Sequence, residues 1–114
     1  MIEKFPQDEF SEGERDLIAK LKEKPPDDQE VHEALVAWCV EEEKKILALT
    51  EVNEIARADV QFNLKKARLY RAAGYVKQAW ESLDWAREGA NNINAEDLFA
   101  EAEAMADEMD AENR

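Results

Sequence analysis

One cysteine, one histidine, one threonine, three glycines and three prolines occur in 114 residues, and each scarcity closes off a class of protein. With Cys39 alone, no intrachain disulfide and no cysteine metal cluster can form. A reducing, cytoplasmic setting is the simplest expectation for such a chain. Cys39 lies in the apolar run 36–40, where it reads as a buried, inert thiol. His32 is too solitary for the paired Glu-x-x-His motifs of di-iron bundles and reads as a solvated surface residue. No His-Glu-x-x-His, P-loop or Gly-x-Gly-x-x-Gly pattern occurs, and no alternating aspartate loop suggests calcium. No apolar stretch approaches the roughly 18 uncharged residues of a membrane span. Glu3, Lys4, Asp8 and Glu9 near the start argue against a signal peptide. The expectation is a non-enzymatic chain with no catalytic residues, no metal and no cofactor.

β-Branched residues are also few: one Thr, five Ile and six Val stand against eighteen Ala and nine Leu. That balance disfavours a sheet and favours helices. Charge is what the chain has in plenty, with 28 acidic and 15 basic side chains and a net charge of −13. A phosphate backbone would repel it overall, which argues against direct nucleic-acid binding. The 45% hydrophobic share suits a globular chain rather than a disordered one. The length predicts one helical domain over 1–114, with 1–10 and 110–114 as loosely ordered ends.

Capping signals and periodicity divide the chain into helices. Ser11 with Glu14 three residues on is a capping box, predicting a helix over about 12–24 that buries Leu17, Ile18 and Leu21. Pro25 and Pro26 must end it, and the acids from Asp27 to Glu30 suit the start of the next. Residues 28–73 contain neither Gly nor Pro. One helix of that length would run on the order of 70 Å, so a turn is expected near 49–53, with Thr50 as a cap. Val31, Leu35, Trp38, Cys39, Ile46 and Leu49 form the apolar positions before the turn. Val52, Ile55, Ala56, Phe62, Ala67, Tyr70 and Ala73 form those after it.

Gly74 suits a left-handed helix end. The next helix is expected over about 75–88, with Val76, Ala79, Trp80, Leu83 and Ala86 on one stripe. Residues 91–94 read as a turn whose Asn94 caps a last helix bearing Leu98, Phe99, Ala102, Met105, Ala106 and Met109. The sum is an all-α fold, a small antiparallel bundle of four to five helices.

Between residues 63 and 86, small and large residues alternate in a particular order. Ala67 is followed by Tyr70, Gly74, Ala79, Leu83 and Ala86 at steps of three, four, five, four and three. This resembles the helical hairpin of a tetratricopeptide repeat. The resemblance covers one hairpin; the family's closing proline is absent, with Asn91 near its place. In that family the first helices line a concave peptide groove. The resemblance therefore implies that Gln61, Leu64, Arg68, Arg71 and Ala72 look into such a groove.

Charge is segregated as well as abundant. Residues 1–56 sum to −9, residues 57–94 to +3 and residues 95–114 to −7. The basic part coincides with the repeat-like hairpin, where Lys65, Arg68 and Arg71 recur every third residue. Arginines there suit bidentate capture of a carboxylate. The stronger expectation is the plainer one, that these bases pair with the acidic last helix of the same chain or solvate an outer face. Trp85 falls off the main stripe and is either an interface residue or part of a second buried face.

The leading expectation is a protein-interaction module that takes a protein or peptide partner through Gln61, Leu64, Lys65, Arg68, Arg71 and Trp85, with a homodimer as one form. The alternative is an acidic mimic that occupies a basic, nucleic-acid-binding surface of a partner, resting on Glu41, Glu42, Glu43 and the acids of 101–110.

Overall fold

Ser11 starts the first helix as its sequence suggests. Its hydroxyl accepts from the Glu14 backbone N–H, and its own N–H donates to the Glu14 carboxylate at 3.0 Å. The structure, a computed structural model, describes residues 10–24 and 28–112. Five helices account for most of them: α1 (Glu12–Glu23), α2 (Gln29–Leu47), α3 (Val52–Ala73), α4 (Val76–Asn92) and α5 (Glu96–Glu112). No strand occurs among the described residues, and the fold is an all-α bundle. Pro25, Pro26, Asp27 and the chain ends at 1–9 and 113–114, with the expectations placed on them, lie outside the described residues.

The α2 to α3 turn falls at 48–51, close to its expected place, but Thr50 does not cap. Glu51 takes the cap position with no side-chain hydrogen bond. Asp28 does cap α2, its carboxylate accepting from Glu30 and Val31. At the end of α3, Gly74 adopts φ +90°. Its N–H reaches the Arg71 carbonyl, and the Tyr75 N–H reaches Tyr70, which satisfies two of the carbonyls a helix end leaves open.

Two expectations at the far end of α4 need correction. The helix continues past 88 to Asn92, carrying Gly89 inside it. Gly89 is tolerated because it meets α3 closely: a Cβ there would stand 3.0 Å from Val60 Cγ2. Asn94 does not cap α5. It is itself left-handed (φ 57°) and ends α4, with Ala95 N–H donating to Ala90 and Asn94 N–H to Asn91. The Ala95 carbonyl then accepts from Phe99 and opens α5. Asp110 to Glu112 belong to the last turn of α5.

Packing centres on α3, the longest helix. One side of it supplies Val60, Leu64 and Ala67 to a core shared with Ala79, Leu83, Ala86 and Ala90 of α4 and Leu98, Ala102, Met105 and Met109 of α5. The many alanines bring these three helices close. Burying Leu64 and Leu83 completely contributes roughly 2 kcal/mol each. The other side of α3 gives Leu69 and Ala73 to a smaller core with Leu17, Ile18 and Leu21 of α1 and Val31 of α2.

The rest of α2 is less enclosed than its pattern suggests. Leu35, Trp38, Cys39, Ile46 and Leu49 are half-buried, and Leu47 and Val52 at the turn are exposed. Trp38 is held by its ring against Phe62, with centroids 5.5 Å apart, and by its Nε1–H donating to Glu14 at 2.9 Å. The Tyr75 hydroxyl points at the carbonyls of Leu21 and Lys24, 2.5 and 2.7 Å away, and so secures the end of α1.

Two glycine substitutions are expected to move stability in opposite directions. Gly74→Ala meets no atom but must hold a positive φ, which lowers unfolding free energy by about 1 kcal/mol. Gly13→Ala, at an open helical position, raises it by about 0.5 kcal/mol. Urea unfolding of both variants checks the signs.

Candidate functional site

α3 carries its basic residues on the sides left between its two apolar faces, and α5 comes back alongside them. The two helices run in the same direction, with α4 returning between them. Arg57 therefore meets Asp97 near their starts, and Arg71 meets Glu108 and Glu112 near their ends. Arg57 is bidentate, at 2.7 and 3.2 Å. Arg68 pairs with Glu101 at 2.6 Å, and Arg87 of α4 with Glu103 at 2.8 Å. Asp97, Glu101, Glu108 and Glu112 follow at steps of four, seven and four, so they form one stripe of α5. The acidic last helix thus covers the arginines of the basic hairpin. Arg71 is the most enclosed, its side chain only 7% exposed.

A second ionic cluster lies across α3. Glu42 of α2 is buried, yet its carboxylate takes Lys65 of α3 at 2.9 Å and Lys45 at 3.0 Å. Burial pushes the Glu42 carboxyl up, but hydrogen bonds from Lys65 and Lys45 outweigh it and hold it below its ordinary value. The hydrogen bond from Arg57, chiefly, lowers Asp97 from 3.8 to about 2. Cys39 is half-buried, and that burial raises its thiol, consistent with an unreactive sulfur. His32 is exposed. Among the described residues no group of three His, Cys, Asp or Glu side chains is placed to hold a metal ion. No helix there is long and apolar enough to cross a membrane.

Two clefts flank this part of α3. One, of about 430 Å³, opens between α1 and α3 and is lined by Arg15, Ile18, Lys22, Arg68, Arg71 and Ala72, with Phe10, Ala19 and Glu112 at its edges. The other, of about 470 Å³, lies between α2 and α3 over Ile46, Leu49, Phe62 and Leu64, with Gln61, Lys65 and Arg68 among its polar residues. Arg68 belongs to both. Of the residues expected to share one groove, Gln61 and Leu64 line the α2–α3 cleft, Arg71 and Ala72 the α1–α3 cleft, and Arg68 both; Lys65, the further partner-binding candidate of α3, lines the α2–α3 cleft.

Their availability differs. Gln61 is exposed, whereas Leu64 is 1% exposed and forms the floor rather than a contact surface. Lys65, Arg68 and Arg71 already hold carboxylates of their own chain. Trp85 stands apart on α4, 67% exposed, and no α4 residue lines either cleft.

Arg15 and Lys22 were not singled out from the sequence. Both are exposed, and neither has a carboxylate within ion-pair distance among the described residues. Their spacing of seven puts them on one side of α1 with Ile18 between, which is the one trace they leave in the sequence. No protein-family profile, curated protein or solved structure matches this chain.

Acid should loosen the α3–α5 seam from its Asp97 end. A carboxyl lowered on folding contributes stability above its unfolded value near 3.8 and loses it as pH falls toward about 2. Thermal melts between pH 5 and 2 are expected to show this loss, with a shallower slope in Asp97→Asn. Equal slopes would remove Asp97 from the account.

Proposed function

We propose that the chain is a non-enzymatic helical interaction module whose partner, a protein or peptide, lies along the α3 face in the two adjoining clefts. The observation that supports this reading is the joining, at Arg68, of a basic cleft to an apolar one on the same side of one helix. A partner segment with apolar and acidic side chains suits that surface. Its apolar groups would cover Ile46, Leu49 and Phe62, and its carboxylates would meet Arg15 and Lys22 or exchange with Glu101 on Arg68. The resemblance of the α3–α4 hairpin to a tetratricopeptide repeat points the same way and belongs to the proposal.

The acidic-mimic alternative is less well supported. Glu41 and Glu42 pair with Lys44, Lys45 and Lys65, and Glu101, Glu103 and Glu108 pair with arginines. Much of the charge that this alternative would present outward is engaged internally.

Reversal of Arg71 is a poor test, because a glutamate there would face Glu108 and Glu112 and detach α5. A photo-crosslinking residue at Gln61 tests the face without that damage, with one at exposed Asp107 as reference. In lysate of cells that express the chain, Gln61 is expected to give a discrete adduct. Arg15→Glu with Lys22→Glu should reduce it about tenfold, as should raised salt. Equal labelling from Asp107, or an adduct indifferent to the charge reversal in a folded variant, would remove the α3 face as the binding surface.

A further inference from the structure

We propose that the outer face of α4, centred on Trp85, docks a cationic segment of a partner protein, with a lysine or arginine side chain laid over the indole. This surface is separate from the α3 clefts and takes the opposite charge. Its helix position makes it so. Ala79, Leu83, Ala86 and Ala90 turn inward as the buried stripe of α4, and Trp85 falls well outside that stripe. The ring is left 67% exposed.

No ring and no cation of the chain stacks on it: the aromatic pairs are Trp38 with Phe62 and Tyr70 with Tyr75, and the one cation over a ring is Lys66 over Phe62. That description holds for the described residues. Leu83, Leu98, Met105 and Met109 of α4 and α5 are covered in the core, whereas Trp85, and to a lesser degree Val76, stands open to solvent.

Charge around the indole selects the occupant. Glu81 and Glu88 stand four residues before and three after Trp85, hence beside it on the same side of the helix. Both are exposed, and neither has a lysine or arginine within ion-pair distance among the described residues. Asp84 is engaged by Arg87 at 3.6 Å, a loose contact. Arg87, two residues after Trp85, is itself held by Glu103 at 2.8 Å. An indole face has a negative quadrupole and attracts a cation, and two flanking carboxylates raise the local concentration of cations further. An acidic or neutral apolar partner would leave both glutamates beside a desolvated contact without compensation. A cationic side chain satisfies the ring and the carboxylates together.

The test uses the full chain and a fluorescein-labelled peptide of alternating arginine and alanine, read by fluorescence anisotropy. A peptide with citrulline in place of arginine keeps the shape and removes the charge. Trp85→Ala leaves the net charge untouched, so general attraction of a polycation to an acidic protein does not change. It is expected to weaken binding about two- to fivefold, with Trp85→Phe recovering part of the loss. Glu81→Gln with Glu88→Gln should weaken binding more than the equally charged pair Asp107→Asn with Asp110→Asn on α5. Circular dichroism melts confirm that each variant is folded; the exposure of these residues makes that the expected result.

Equal affinity of Trp85→Ala and the unaltered chain overturns the proposal. So does equal loss from the two charge pairs, equal binding of the citrulline peptide, or no binding of the arginine peptide at all. Sedimentation that shows a dimer dissolved by Trp85→Ala would make a second copy the occupant and also overturn it. Each such failure leaves the α3-face reading standing, since the two surfaces share no residue.

Discussion

A helix buried on two sides imposes order on everything around it. α3 gives Val60, Leu64 and Ala67 to one core and Leu69 and Ala73 to another, so α1, α2, α4 and α5 all take their places from it. Only the edges between those faces remain for polar side chains, and the arginines and Lys65 occupy them. A charged group at such an edge sits beside excluded water and needs a counter-charge from a neighbouring helix. α5 provides it for Arg57, Arg68 and Arg71, and α2 provides it for Lys65. The ionic pattern is thus a consequence of the packing rather than an addition to it.

The same arrangement changes the meaning of the chain's charge. A segment of net +3 between acidic arms would suggest a basic surface, yet its arginines are already paired with carboxylates of the chain. What the outside retains is a mixture of uncompensated acids and a small basic cleft that owes as much to Arg15 and Lys22 of α1 as to α3. A partly buried ion pair such as that of Arg71, whose carboxylate partners stay about half exposed, is weak evidence for net stability, because desolvation of the guanidinium opposes it. Its clearer effect is on register: three hydrogen bonds from one guanidinium to Glu108 and Glu112 fix where the end of α5 lies along α3.

Local chemistry made much of the fold legible. The Ser11–Glu14 box, the burial of Leu17, Ile18 and Leu21, and the left-handed Gly74 depend on neighbours within a few residues, and sequence spacing carries that information. The end of α4 lies four residues beyond the expected 88, and Gly89 is carried inside the helix. The reason a glycine suits that position, the approach of Val60, is tertiary. Asn94 has both left-handed and capping habits, and which one prevails depends on how α5 folds back. Gln61, Leu64, Arg68, Arg71 and Ala72 are singled out by their place in a hairpin that resembles a repeat. That Leu64 is floor and that Lys65 holds a buried Glu42 follow from contacts between residues far apart in sequence, whereas pairing of Arg71 with the acidic last helix is one of the options its charge leaves open.

The division of the interior into two unequal cores bears on how the molecule breathes. Thirteen buried residues make up the core of α3, α4 and α5, against six in the core of α1, α2 and the far side of α3. The larger core is assembled from helices consecutive in the chain and closed by two tight turns, so it can persist while the smaller one opens. Amide hydrogens of α1 and α2 should accordingly exchange with solvent sooner than those of α4, with the Tyr75 hydroxyl at the end of α1 marking the hinge of that opening. Motion of this kind would widen the basic cleft before it disturbed anything beneath Trp85.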